Sequence, residues 1–344
     1  MKIALDATYS LGDDLSGVGV YSREILFGMA AAHPANDFLF CYRPHRFVRS
    51  FSDRLPENCH RRLLDEHLIP RGARLFHGLN QRLPKARFRL AVTTFHDLFV
   101  LTGEYSTPEF RQRFAEQARH AAAASDLIVT VSEFTATQVS GLLRVPRSRI
   151  RVIHHGVRTC APSKGGKEKI ILHVGAIQTR KNVSRLVKAF ESAPPEWRLV
   201  LAGGAGYGAP AIFEQIERSP CRDRIQVLGY VSEATLADCY RRAMIFAFPS
   251  LDEGFGMPVL DAMAAGVPVV SSNRAALPEV CGDAAILVDP EDTGQLADVL
   301  CKLCQDEALR LELGRKGTAN ASRFSWKRAI ARTFDVYREL LVWL

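Results

Sequence analysis

Two carboxylates, Glu253 and Asp261, flank a loop that reads Glu253-Gly-Phe-Gly-Met-Pro-Val-Leu-Asp261. Gly254 and Gly256 open the loop, and Pro258 suits the first position of a helix, followed by good helix formers to Ala265. Free backbone N–H groups and the positive helix end make such a place an anion site. Acids beside it need another partner, and sugar or ribose hydroxyls supply one. Arg180 and Lys181 stand just before or within the first turn of another predicted helix, where the dipole disfavours cations. An anion shared with that helix end explains them; a solvated surface pair is the alternative. His96-Asp97 ends a predicted strand, and ligands of open parallel sheets gather beyond the carboxyl ends of strands. There His96 can bond hydroxyls or shuttle a proton, or be a buried histidine satisfied by neighbouring backbone. Gly17 and Gly19 form part of a dinucleotide fingerprint, but Ser22 replaces its third glycine and no acidic ribose partner follows. A nicotinamide dehydrogenase is therefore disfavoured. A backbone approaching a ligand and a tight turn both remain open.

These residues sit on an alternating pattern of short apolar runs and helical periods. Strands are expected at 2–7, 38–42, 73–77, 90–94, 126–131 and 149–154. Helices are expected from Gly17 to about Ala32, at 108–124 and at 134–143. Ala161-Pro-Ser-Lys-Gly-Gly-Lys167 reads as a linker. A second alternating series follows, with strands at 170–174, 198–202, 225–228, 244–248, 267–271 and 285–288. Its helices run from Asn182 to about Ser192 and over 236–243, 290–306 and 307–321, and a final amphipathic helix covers 326–344. Two consecutive β/α series predict two Rossmann-like domains with a cleft between them. The domains are placed at 1–162, with helix 326–344 crossing back to it, and at 168–325.

The 344 residues carry a net charge of +8, and 47% are apolar. Residues 1–162 hold 22 Lys+Arg against 15 Asp+Glu, whereas the remainder holds 23 against 22. The first half is thus expected to face something acidic. Arg43-Pro-His-Arg-Phe-Val-Arg-Ser-Phe-Ser-Asp-Arg54 and His60-Arg-Arg62 interleave arginines with Phe47 and Phe51. Aromatics dipping into an anionic membrane surface are one reading, and a solvated charged face is the other. No nucleic-acid-binding module accompanies the charge. No run of about 18 apolar residues occurs, and the first residues read as a strand, not a signal peptide. Eight scattered cysteines fit a reducing cytoplasm. Cys301-Lys-Leu-Cys304 reads as two thiols on a helix, not a metal or redox site.

With these segments in their order, the chain resembles the retaining glycosyltransferases of family 4, which have the GT-B fold. The residues that carry the resemblance are Gly175…Arg180-Lys181-Asn182, Leu228-Gly-Tyr-Val231 and Glu253 to Asp261. The resemblance implies that Gly175, Arg180 and Lys181 hold the donor diphosphate. It implies that Gly254, Phe255, Gly256, Met257 and Val259 wrap phosphate and sugar with their backbone. Glu253 would face the sugar, Asp261 the ribose, and Gly229, Tyr230, Val231 and Leu236 the nucleobase. Gly17, Gly19 and His96, with Asp97 on the acceptor side, would complete the site; Glu253, Arg180, Lys181 and His96 are the expected catalytic set. Two departures stand out: Asp261 replaces the usual second glutamate, and Ala176 stands where many members have arginine.

The expected activity is retaining hexosyl transfer from a nucleotide-diphosphate sugar, with GDP-mannose preferred to a UDP-sugar and no cofactor. The sequence lacks Asp-x-Asp, so a metal-chelating diphosphate site is not expected. The acceptor would be a bacterial envelope glycan or its lipid-linked precursor, and the protein cytoplasmic or peripheral at the inner membrane face. A nucleotide-sugar-binding or scaffold subunit with weakened catalysis is the alternative, permitted by Asp261 and Ala176.

Overall fold

The computed structural model describes residues 2–12, 15–158 and 166–341. The chain divides into two compact units. Unit 1 comprises Met1–Gly156 and Ser325–Leu344, and unit 2 comprises Val157–Phe324. Residues 161–165 of the expected linker lie outside the described residues.

Unit 1 runs β1 (Lys2–Asp6), α1 (Gly17–Ala32), β2 (Asp37–Tyr42), α2 (Pro44–Phe47), β3 (Cys59–Leu63), β4 (Leu75–Gly78) and β5 (Ala91–Phe95). It continues with α3 (Phe99–Thr102), α4 (Pro108–Ala124), β6 (Leu127–Thr130), α5 (Glu133–Leu143) and β7 (Ile150–Val152). All its strand pairs are parallel, in the order β3-β2-β1-β4-β5-β6-β7. Parallel strands are covered on both faces, which is why continuous apolar runs such as Phe38–Tyr42 form them. The edge strand β3 was missed in the sequence. Its side chains are largely exposed, so it carries polar residues, His60-Arg-Arg62, and no apolar run.

Unit 2 runs β8 (Glu168–Val174), α6 (Val183–Phe190), β9 (Arg198–Ala202), α7 (Ala209–Arg218), β10 (Ile225–Gly229), α8 (Glu233–Arg242) and β11 (Ala243–Phe248). Then come α9 (Met257–Ala264), β12 (Val269–Ser272), α10 (Leu277–Cys281), β13 (Ile286–Val288), α11 (Thr293–Gln305) and α12 (Glu307–Ala321). Its parallel strands are ordered β10-β9-β8-β11-β12-β13. The expected helix 290–306 starts later, at Thr293, because the Asp292 side chain caps it by accepting from the Gln295 N–H at 2.9 Å. Helix α7, unread in the sequence, starts after Gly208 at φ 81° with a proline in its first turn. Gly203, after β9, is fixed by close approach: a Cβ there would lie 1.9 Å from the Gly175 carbonyl oxygen. Any larger residue would push the loop that follows β8 out of place.

The last helix, α13 (Trp326–Leu341), returns to unit 1 as expected and packs on α1. Ile330, Val336, Tyr337 and Leu340 join the same core as Ile25, Leu26 and Met29. A buried polar chain accompanies them. The Tyr337 hydroxyl lies 2.6 Å from His77 Nδ1, His77 Nε2 lies 2.9 Å from Thr94 Oγ1, and Thr94 Oγ1 lies 2.9 Å from the Tyr21 hydroxyl. No described helix is long and apolar enough to cross a membrane.

Candidate active site

In unit 2 the chain leaves β8 toward β9 and comes back on the other side of β8 as β11. Such a reversal opens a crevice beyond the carboxyl ends of the two strands, where open α/β sheets bind ligands. The loops that follow β8 and β11 meet there. Leu251 N–H donates to the Arg180 carbonyl at 2.9 Å. The Asn182 amide donates to the Pro249 and Pro290 carbonyls at 3.0 and 2.6 Å, with Asn182 itself at φ 59° ahead of α6. A short 3-10 turn, Thr179–Lys181, therefore precedes the helix and aims both cations inward.

Arg180, Lys181 and Glu253 are each more than 90% buried. Glu253 Oε1 accepts from Arg180 at 2.9 Å, lies 2.9 Å from the Ser250 hydroxyl and pairs with Lys181. Lys181 also sits 4.7 Å over the Phe248 ring. Burial by itself would raise the Glu253 pKa, but Arg180, Lys181 and the Ser250 hydrogen bond outweigh it, and the net shift is downward. The solvated-pair reading of Arg180-Lys181 is overturned. The anion they share in this state is Glu253, which turns toward the two cations.

His173, on β8, went unnoticed in the sequence, where only its position two residues before Gly175 marked it. Its Nδ1–H donates to the Ala247 carbonyl at 3.0 Å, its ring stacks on Phe248, and its Nε2 is buried without a hydrogen-bond partner. Burial pulls its pKa down to about 4, so the ring is neutral.

Helix α9 begins at Met257, one residue before the expected Pro258, with Gly256 at φ 104° as its cap. Gly256 has no side chain to cap the helix; its carbonyl accepts from the Val259 and Leu260 N–H groups at 3.0 and 3.4 Å, and Pro258 has no N–H. Phe255 and Val259 point into the interior, 4% and 0% exposed, which leaves their backbone as the part able to meet a ligand. Asp261 is also buried. It pairs with Arg158 at 3.3 Å, and Arg158 reaches on to Glu233 at 3.0 Å. Burial raises the Asp261 pKa and the Arg158 contacts only partly offset it. Arg158 was not singled out in the sequence, because nothing local links it to a residue 103 positions away. Gly229 ends β10 at φ 67°, Tyr230 is 56% exposed, and Val231 and Leu236 are half-buried.

In unit 1 the corresponding reversal lies between β1 and β4. Gly17 and Gly19 fall in the first turn of α1, where Ser16 accepts from the Gly19 N–H at 3.3 Å. A Cβ on Gly19 would come within 2.9 Å of the Tyr9 carbonyl. His96 ends just past β5, with Nε2 2.9 Å from the Leu79 carbonyl after β4, and its ring edge-on to Tyr21 at 4.7 Å. Burial takes its pKa to about 4. It is a buried histidine satisfied by neighbouring backbone, and a neutral one, so near pH 7 it suits hydroxyl binding better than proton shuttling. Asp97 beside it is half-buried.

Four buried histidines thus have depressed pKa values: His77 at about 3, His96 and His173 at about 4, and His155 well below its usual value. The unfolded chain protonates these rings near 6.5, before the folded one does. Stability is therefore full above pH 6.5 and is lost as pH falls from 6.5 toward 4. Urea midpoints across that range should fall by several kcal/mol of equivalent stability, and a flat profile would contradict the neutral burial of these rings.

The basic stretch of unit 1 does not match its expected form. Phe47 packs against the core, and Arg61 donates to the carbonyls of Ser50 and Asp53 while lying 5.1 Å over Phe51. What is exposed is Val48, Phe51 and Leu63, with Arg49, Arg54 and Arg62. In unit 2, Cys301 donates to the Ser192 carbonyl and Cys304 is buried, and no group of metal-ligating side chains forms among the described residues.

Comparison with known proteins follows the same division. The family model for "Glycosyl transferases group 1" matches residues 161–320, and that for "Glycosyltransferase Family 4" matches residues 42–160. The O-antigen chain mannosyltransferase B of Escherichia coli is 31% identical over 388 aligned residues, spanning 99% of this chain and 100% of that one. The chain belongs to the family 4 glycosyltransferases. A D-inositol 3-phosphate glycosyltransferase of Xylanimonas cellulosilytica is 33% identical over 69% of this glycosyltransferase and 62% of its own length. Among solved structures, sucrose-phosphate synthase from Thermosynechococcus elongatus superposes with a TM-score of 0.82 at 21% identity, covering 100% of both chains. WaaG, a glycosyltransferase involved in lipopolysaccharide biosynthesis, gives 0.73 at 15% identity over 97% of this chain and 98% of its own. The glycosyltransferase has the GT-B fold.

Proposed function

We propose that this glycosyltransferase moves mannose from GDP-mannose, with retention and without a metal ion, onto a bacterial envelope glycan or its lipid-linked precursor. The observation that carries the reading is the pair of buried cations, Arg180 and Lys181, held at the reversal between β8 and β11 beside the N-terminus of α9. Breaking a sugar–phosphate bond builds negative charge on the departing diphosphate, and fixed cations with helix-end N–H groups stabilise it. Two such charges fill the role a metal ion plays elsewhere. Before the donor arrives, Glu253 pairs with both cations and offsets one of their two charges; the diphosphate takes them over and frees the carboxylate for a sugar hydroxyl. The acceptor oxygen then bonds to the anomeric carbon on the face that the diphosphate leaves. The electron pair of the broken bond goes to the diphosphate, and the acceptor proton passes to the departing phosphate oxygen.

Mannose is supported by the O-antigen mannosyltransferase that aligns along its whole length. Unit 1 is the acceptor side in this reading, with His96 and Asp97 toward the acceptor. Its exposed Val48, Phe51 and Leu63 among arginines suit an anionic membrane surface at the cytoplasmic face. The test is transfer by purified protein from GDP-mannose and from UDP-sugars to a lipid-linked glycan acceptor in EDTA. GDP-mannose-dependent product with the donor's anomeric configuration is expected. Transfer from UDP-sugars alone, an inverted product, or a strict magnesium requirement would overturn the corresponding part.

A further inference from the structure

We infer that unit 1 carries a second anion site, remote from the transfer chemistry, that takes a doubly charged phosphate group. A cavity of about 600 Å³ opens between the loop ahead of β5, the last turn of α4 and the residues leading into β6 and β7. That is the size of an ordinary small-molecule site. It lies at the amino ends of these strands. His96 stands past the carboxyl end of β5, a strand of five residues, so the two places are about 17 Å apart along the sheet.

The walls are fixed by the protein itself. The Ala86 N–H donates to the Glu66 carbonyl at 2.7 Å, and His120 Nε2–H donates to the Pro84 carbonyl at 3.1 Å. The Phe88 ring stacks on buried Phe76, with centroids 4.3 Å apart. Across the cavity, Arg149 donates from Nε to the Asp126 carbonyl at 3.2 Å and from Nη2 to the Ala122 and Ser125 carbonyls. These bonds close the carboxyl end of α4. Among the described residues its Nη1 has no partner. The Asp126 carboxylate is committed as well, accepting from the Ala91 N–H at 2.8 Å.

The charge in this hollow is one-sided. Lys85, Arg87 and Arg89 alternate along the loop with exposed side chains, and among the described residues no carboxylate pairs with them. Arg82, three residues before Lys85, has Glu66 as its partner. With Arg149 the three make four cations against the one carboxylate of Asp126, a local charge of +3. A run of cations on a flat surface is ordinarily a solvated face, but these line a preformed cavity floored by buried Leu83 and Pro84. Like charges gathered so closely repel, and a dianion set among them removes that repulsion. Arginine forks also match phosphate oxygens in geometry. A carboxylate brings one charge and two oxygens, whereas a phosphate monoester brings nearly two charges and three oxygens, which suits four cations better. Two sources present such a group: a soluble phosphate ester and the headgroup of an anionic lipid.

Calorimetric titration of the full-length protein with inorganic diphosphate tests the site. The wild type should take two diphosphates, one at Arg180 and Lys181 and one in this cavity. Lys85→Gln, Arg87→Gln and Arg89→Gln together should weaken the second about a hundredfold, roughly tenfold for each of two charge-assisted hydrogen bonds, and leave GDP affinity unchanged. Lys181→Ala should weaken the other and keep the cavity's diphosphate. The triple variant changes exposed side chains and none of the tethers, so it stays folded. Sedimentation with phosphatidylcholine vesicles, with and without phosphatidic acid, separates the sources. Weaker acidic-vesicle binding by the triple variant assigns the site to a lipid headgroup. Equal vesicle binding with the cavity's diphosphate lost assigns it to a soluble phosphate ester. The same number and affinity of diphosphates in wild type and triple variant overturns the inference. If GDP fails to bind while the cavity's diphosphate is retained, the nucleotide-sugar reading falls and this site stands.

Discussion

Lys181→Ala will lose sugar transfer by about a thousandfold while the protein stays folded. Removing one preorganised donor from a site of developing negative charge costs on the order of 100- to 1000-fold in kcat, and Lys181 carries a full charge in a buried setting. The fold survives because Glu253 keeps Arg180 at 2.9 Å and the Ser250 hydroxyl at the same distance. A stability loss of about 1–3 kcal/mol is expected. Glu253→Gln behaves in the opposite way. It leaves two buried cations facing a neutral amide, and breaking a buried ion pair from one side costs about 3–5 kcal/mol. Denaturant midpoints and initial rates of both variants separate the roles. More than a tenth of wild-type transfer by Lys181→Ala would remove Lys181 from the catalytic set.

A chain ending at Ser325 will fail to fold unit 1 cooperatively. It lacks α13, whose Ile330, Val336, Tyr337 and Leu340 are at most 8% exposed. Burying side chains of this size stabilises by roughly 1.5–3 kcal/mol each, so the four together contribute roughly 6–12 kcal/mol as an upper estimate. That is comparable with the whole stability of an ordinary domain. Tyr337→Phe is the graded version. It leaves His77 Nδ1 buried beside a ring without a hydroxyl and should cost about 1–3 kcal/mol. Denaturant curves that report on each unit, followed by tryptophan emission and by protection of backbone amides, distinguish the two outcomes. A truncated chain with an intact unit 1 transition would show that α13 only decorates the surface.

Much of this molecule is legible in its sequence. Parallel strands buried on both faces need continuous apolar runs, so Phe38–Tyr42, Arg198–Ala202 and Met244–Phe248 announced themselves. The glycine, cation and acid segments showed in their order because an anion site at a helix beginning needs an open loop and nearby charge, both of which are local in the chain. Elements without such a signature stayed hidden: β3, at the sheet edge, and α7, behind Gly208.

Local sequence determined that this chain is a two-series α/β protein with anion-suited loops, and it singled out Arg180, Lys181, Glu253 and Asp261. Those properties follow from neighbours in the chain, where periodicity, turn residues and charge act over a few positions. Only the tertiary structure decided who neutralises whom. Glu253 is 72 residues from Lys181, and Asp261 is 103 from Arg158, so only the folded chain brings them together. Burial then turned those encounters into strong ones, because a desolvated charge must find a partner. Asp261 shows the difference most plainly. Its short side chain was visible in the sequence, and the arginine that meets it was not.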